Sequence, residues 1–385
     1  MAWWLHWFDL VDLGVYRAGA SAFVHGRDIY LARPRIIPLP FTYPPFAAVF
    51  FVPLAVFSDS VALIAMSLVS GCALVFAALA ALRLAAPTWP ARSRWTVALA
   101  IAAATPLLEP VRDTFRLGQV NLVLMALVLA DLAAILSVDR SGRKSARRAR
   151  LPRGLLLGVA TAVKLTPGIF IVYLLVIRRT REAVTAMATA VAATACAGVL
   201  MPSESAHYWR HLVFDDQRIG SPGSVWNQSI RGALARLTGS PDRGHLVWLA
   251  LALAITVAGL ALAARLNAGE PLLGLGVAAV TGLLVSPISW NHHWVWALPL
   301  AIGLVRRAVL TGRRSDWWAA VGWAATFCVA SMSWWPFAHQ DDYRLGTAYA
   351  VAADCYVLAA LAVAGIIAWR AWFAQPVPGS PPRTS

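Results

Sequence analysis

Charge is scarce in this 385-residue chain: only 13% of its residues are Asp, Glu, Lys or Arg and mean hydropathy is +0.64, whereas a soluble domain carries roughly 25%. A water-soluble globule and a disordered chain are both excluded. Lysine is almost missing. Lys144 and Lys164 are the only two, so the net charge of +15, from 33 basic against 18 acidic residues, is carried by arginine. An arginine excess often marks a nucleic-acid partner, but these arginines lie between apolar runs, where they report membrane topology; no nucleic acid is expected. The four cysteines, Cys72, Cys196, Cys328 and Cys355, each sit alone inside an apolar stretch, which gives neither a disulfide framework nor a metal site. No glycine-rich phosphate loop, CxxC pair or nucleophile elbow occurs either. The expectation is a chain with no cofactor and no metal.

What is present is apolar runs near the roughly 20 residues that cross a bilayer. They lie at 60–83, 95–108, 119–137, 183–201, 245–264, 272–287, 294–305, 316–337 and 347–370. Arginine clusters at 83–94, 138–153, 178–181 and 306–314 fall between them and can all be cytoplasmic at once. For that to hold, 154–177 must enter and leave on the same side. Lys164-Leu165-Thr166-Pro167-Gly168 interrupts it, and proline followed by glycine breaks a helix, so two short arms meeting at a tip are expected. The proline-interrupted stretch 45–58 reads as re-entrant or interfacial. Three segments follow: an outer segment 1–59, a membrane domain 60–370 with a large outer loop at 202–244, and a cytoplasmic tail 371–385. Met1–Phe8 is too short to span, and a first helix upstream is expected.

All eight histidines and most carboxylates fall in or beside the outer segments, among them Asp9, Asp12, Glu109, Asp113, Asp215, Asp341 and Asp342. The positive-inside bias explains the acids but not neutral histidine, so the working face is read as exoplasmic. Asp9 and Asp12 are candidate bases, since a carboxylate among apolar groups is partly desolvated. Both equally suit helix caps in a solvated loop. Glu109, Arg112, Gln119 and Asn121 form a polar loop between crossings, readable as a binding site or as a turn held by a Glu109–Arg112 pair. Lys164, inside an apolar stretch, needs an anion from another segment or a ligand phosphate. Asn227 and Gln228 suit sugar hydroxyls and Arg231 a phosphate, while 230–237 equally reads as an amphipathic helix on the membrane surface. His292 and His293, adjacent and so unable to share one ion, fit a phosphate or hydroxyl contact; Trp290, Trp294 and Trp296 read as interfacial anchors.

VDLGVY at 11–16, LPFTYPPFAAV at 39–49, EPVRDTFRLGQVN at 109–121, VKLTP at 163–167, WNQSIRGALARL at 226–237 and SPISWNHHWVW at 286–296 together resemble the actinobacterial mannosyltransferases of glycosyltransferase family 87. The resemblance implies an all-α integral membrane bundle of the type-C glycosyltransferase fold, with about 11 membrane helices, two of them short. It implies an inverting enzyme taking mannose from a polyprenyl-phosphate-mannose donor in the bilayer to a mannosylated glycolipid, a phosphatidylinositol mannoside, through an α-1,2 linkage. A sister activity, α-1,2 branching of lipomannan, is similar. By the VDLxVY pattern the catalytic aspartate is Asp12, four residues before Tyr16. The same matching places Lys164, Pro167, His292 and His293 at the site, and Tyr16 and Tyr43, within the matched segments, are candidate substrate contacts. A lipid-linked sugar transporter is the rival class; no inverted repeat supports it.

Overall fold

The structure, a computed structural model, describes residues 10–34, 37–137, 151–240, 242–334 and 347–373. The expectations placed on Asp9, His6, His339, Asp341, Asp342 and most of the 138–153 arginine cluster lie outside the described residues. Among those described, every regular element is helical. The chain opens with α1 (Val11–Val24), the short α2 (Pro45–Phe50) and α3 (Val52–Ala55), the long α4 (Asp59–Ala85) and α5 (Ala91–Ala104). Next come α6 (Glu109–Leu117), α7 (Asn121–Leu136), α8 (Leu155–Val163), α9 (Ile169–Val176), α10 (Thr180–Leu200) and α11 (Pro202–Arg210). Seven more follow: α12 (Ile230–Thr238), α13 (His245–Asn267), α14 (Pro271–Val285), α15 (Ala297–Thr311), α16 (Arg314–Val329), α17 (Thr347–Ala353) and α18 (Cys355–Phe373).

Helix occupies most of the described part of every expected run. Five are long and apolar enough to cross a membrane: α4, α10, α13, residues 291–311 and α18; α6 with α7 makes a sixth if that pair, bent by 119°, is one span. This is a polytopic helical membrane protein. Its described residues fall into two compact units, one of Met1–Ala77, Val111–Ile171 and Arg179–Ile219, the other of Ala78–Pro110, Val172–Arg178 and Gly220–Ser385. These units interleave along the chain, whereas the boundaries expected at 59/60 and 370/371 follow membrane depth.

In the first unit, 154–177 breaks where expected. α8 stops at Val163 because Pro167 has no N–H to continue the ladder; Lys164 is extended (φ −149°) and a single 3-10 turn covers Thr166–Gly168. Asp131, an acid inside the apolar α7, accepts from the N–H groups of Gly154 (2.9 Å) and Leu157 (3.0 Å), the otherwise orphaned donors that begin α8. α8 lies close against α10, since a Cβ at Gly158 would stand 2.5 Å from the carbonyl oxygen of Ala186. Small residues at such crossings let membrane helices gain packing that apolar area alone does not supply in lipid.

The second unit is built on α13, α14 and α15 in sequence, with α16 and α18 outside them. Trp294, Trp323, Phe327 and Tyr356 interlock in its core, with Phe327 and Tyr356 ring centroids 4.2 Å apart. Trp294 is fully buried, so the expectation that it anchors at the membrane interface is corrected: its ring has protein neighbours on every side. α12 is likewise no surface helix. Ile230, Arg231, Gly232, Ala235 and Arg236 are buried within the unit.

Candidate active site

Asp12 stands in the first turn of α1, next to Leu10, whose left-handed backbone (φ 49°) starts the helix. The α6–α7 bend comes against that turn. Its corner is Gly118 at φ +67°, where a Cβ would lie 2.7 Å from the Cβ of Leu13; glycine alone fits both the backbone angle and the space. The bend delivers Gln119 to Asp12 and to two tyrosines.

The resulting network has a single internally consistent arrangement. Tyr16, one helical turn beyond Asp12 and fully buried, donates through its hydroxyl to Gln119 Oε1 at 2.7 Å. That fixes the amide, so Gln119 Nε2 faces the Tyr43 hydroxyl (3.3 Å) and hydrogen-bonds the Asp12 carboxyl. The Tyr16 and Tyr43 hydroxyls are 3.1 Å apart. Lys164, at the break between α8 and its 3-10 turn, donates to Asn121 Oδ1 at 2.9 Å, with its ammonium 5.6 Å from the centroid of the Tyr43 ring. Asp12 keeps partial exposure while its neighbours crowd it. Burial pushes its pKa up to about 6, against the opposing pull of the Gln119 hydrogen bond and the Lys164 charge. Six of the expected residues, Asp12, Tyr16, Tyr43, Gln119, Asn121 and Lys164, are thus brought together within the first unit. The Lys164 ammonium is bonded to the neutral Asn121 amide, and its charge acts on Asp12 from another segment.

In the second unit the other expected residues form a different kind of site. Asn227 and Gln228 are 0% exposed. Asn227 donates to the Pro222 and Pro287 carbonyls and accepts from Ser289 N–H; Gln228 donates to the Val225 and Ala353 carbonyls and accepts from Tyr356 N–H. The expectation that these amides bind sugar is corrected: backbone groups take them, and they pin the 222–229 and 286–291 segments together. Glu109 differs in the same way, since its carboxylate accepts from Tyr356 Oη at 2.6 Å and from Asn291 Nδ2, and no Glu109–Arg112 pair forms. Among the described residues the Arg112 guanidinium has no ion pair or hydrogen bond, and it is partly exposed. Arg231 is buried with its guanidinium 5.2 Å from the centre of the Trp248 ring. His292 and His293 stand edge to face, 4.8 Å between rings, in a 3-10 turn. No group of three or more His, Cys, Asp or Glu occurs among the described residues.

Sequence reasoning missed the buried ion pair of Arg236 with Asp354, whose arginine also donates to the Ser224 and Asn227 carbonyls. It missed Tyr356 and Asp131 as well. The signal was available for the acids, because Asp131 and Asp354 both interrupt apolar runs, where a carboxylate needs a partner.

The model of glycosyltransferase family 87 matches residues 41–287 of the chain. The chain belongs to glycosyltransferase family 87. Among curated proteins it is similar to a Mycobacterium tuberculosis polyprenol-phosphate-mannose-dependent alpha-(1-2)-phosphatidylinositol mannoside mannosyltransferase, 37% identical over 92% of this chain and 83% of the relative. The Mycolicibacterium smegmatis protein of the same description is 36% identical over 93% and 83%. A Mycobacterium tuberculosis pentamannoside mannosyltransferase of the same donor dependence is 35% identical over 94% and 81%. No solved structure matches. As a family 87 member the chain is a glycosyltransferase; Asp12, Tyr16, Gly118, Gln119, Asn121 and Lys164 belong to the segments that carried the resemblance.

Proposed function

We propose that this glycosyltransferase moves mannose from a polyprenyl-phosphate-mannose donor to a hydroxyl of a phosphatidylinositol mannoside, with inversion to an α-1,2 linkage, on the exoplasmic face of the plasma membrane. The observation that carries the reading is a lone, partly exposed carboxylate, Asp12, raised toward neutrality by burial and aimed by an amide that Tyr16 holds in one orientation. Such a group suits an attack in which the acceptor O–H proton passes to Asp12 as the oxygen bonds to the anomeric carbon. The bond from that carbon to the phosphate oxygen breaks at the same time, with its electron pair leaving on the lipid phosphate. A phosphate leaves as a stable anion without protonation, so one carboxylate suffices where glycoside hydrolysis needs two.

Lys164 is better placed to hold Asp12 ionised than to meet the leaving phosphate, because an inverting displacement has nucleophile and leaving group on opposite faces of the sugar. Arg231, His292 and His293 remain the proposed phosphate and sugar contacts, and Arg112 joins them as a partly exposed guanidinium. The relatives' descriptions name the same donor and both mannoside and pentamannoside acceptors, which supports the substrate class. Purified protein given labelled polyprenyl-phosphate mannose with phosphatidylinositol mannosides and lipomannan side by side is expected to extend the mannosides. Labelled lipomannan alone would assign the branching activity instead, and movement of donor lipid across the bilayer with no new glycosidic bond would make the chain a transporter.

Two consequences follow from the geometry. Because the base is the ionised form and its pKa lies at about 6, kcat/KM should rise with pH through that value and level off above it. Lys164→Met removes the charge that favours ionisation, so the same rise should move to higher pH, with activity largely regained there. An unmoved profile would separate Lys164 from Asp12. Gly118→Ala forces a Cβ onto Leu13 at a left-handed corner, and a shift of about 1 Å in a reacting group can cost about 100-fold in rate. It should lower kcat at least tenfold while membrane insertion, read by protease protection, is unchanged.

A further inference from the structure

In the second unit α16 and α18 pack together beside a shallow, open depression of about 560 Å³ lined by Ser315, Ala362, Gly365, Ile366, Trp369 and Arg370. Most of its wall is apolar, and a Cβ on Gly365 would meet nothing within 4 Å. One end is cationic. Arg307 bridges Glu270 (2.7 Å) and Asp316 (3.5 Å), and Arg370 shares Asp316. Arg306 adds its charge beside Glu270, and Arg313 is near enough to repel Arg370. Four guanidiniums therefore meet two carboxylates that are already engaged. Arg313 and Arg314 are exposed, and among the described residues neither side chain has an ion pair or a hydrogen bond. Trp318 and Trp369 stand exposed at the same helix ends, 74% and 66%, as tryptophans do at the depth of lipid headgroups.

An apolar surface depression ending in uncompensated positive charge at headgroup depth fits an amphiphile with an anionic head. The positive-inside bias assigns these arginine-rich ends to the cytoplasm, and the lipids of that leaflet supply such heads. A zwitterionic headgroup brings its own cation and would leave the excess unmet. We propose that this depression holds one anionic phospholipid of the surrounding bilayer, its acyl chain along Gly365 and its phosphate against Arg313, Arg314 and Arg370. The site does not rest on the mannosyltransferase reading, since none of these residues is among the substrate contacts.

The test is native mass spectrometry of the full chain in detergent, titrated in turn with phosphatidylglycerol, phosphatidylcholine and a polyprenyl phosphate. One phosphatidylglycerol should be retained and phosphatidylcholine should not. R313Q/R314Q should weaken retention roughly 30-fold, about fivefold for each arginine near an anionic headgroup. G365L, whose side chain has space to enter, should also displace the lipid while leaving the lipid-free melting temperature unchanged. Equal retention of phosphatidylcholine, retention indifferent to both variants, or a polyprenyl phosphate outcompeting phosphatidylglycerol at equal concentration would each overturn the proposal, the last by assigning the depression to donor lipid.

Discussion

Replacing Asp12 with asparagine should lower kcat by about 10³-fold, within the 10²–10⁴-fold typical of a positioned general base, while KM for donor and acceptor stays within about twofold. Asparagine keeps the shape of the side chain and an oxygen that can still accept from Gln119 Nε2, so the network around Tyr16 and Tyr43 has no reason to collapse. What it lacks is a site for the acceptor's proton. A loss confined to kcat therefore distinguishes a base from a group that merely binds sugar, whose removal raises KM. Asp12→Glu keeps the proton site but displaces it by a methylene, and intermediate activity is expected. An Asp12→Asn enzyme that turns over at the parental rate would remove this carboxylate from the mechanism.

Breaking the Arg236–Asp354 pair should have the largest effect on stability, and an unequal one. Arg236 is fully buried and Asp354 nearly so, with exposures of 0% and 5% for the side chains. Removing one partner of a buried pair typically costs about 3–5 kcal/mol, because the other charge is left without compensation. The two partners differ in their means of escape. In an Arg236→Met protein the Asp354 carboxyl can take a proton and become neutral. Arginine cannot shed its charge. Asp354→Asn should therefore lower the melting temperature in detergent much more than Arg236→Met, and the double variant Arg236→Met/Asp354→Leu should recover part of the loss. Equal losses in the two single variants would show that the charge itself is unimportant there.

The helical runs, the break at Pro167 and the six segments of the family pattern were legible because each is written locally, in hydropathy, in the missing N–H of proline, or in a short motif. Asp12 was singled out through its motif alone, since composition left it level with Asp9. Its partners were legible as residue types and not as a network: Tyr16 and Gln119 are 103 positions apart, and no local pattern says that one holds the other. The amides of Asn227 and Gln228 misled for a related reason. A polar group in an outer loop suits a ligand and a neighbouring backbone equally well, and only the packing of 286–291 decides. Apolar periodicity in α12 carried the same ambiguity, because it marks a face turned away from water without saying whether lipid or protein covers it.

The seclusion of Lys164 has a practical corollary. With the residue 9% exposed and its ammonium bonded to Asn121, the chain's second lysine is shielded from amine-reactive dyes in the folded state. Of the two lysines, a membrane-impermeant ester applied to sealed vesicles of each orientation then labels Lys144, and mass spectrometry of the labelled peptide reads which side the 138–153 segment occupies. No residue would have to be engineered for that experiment.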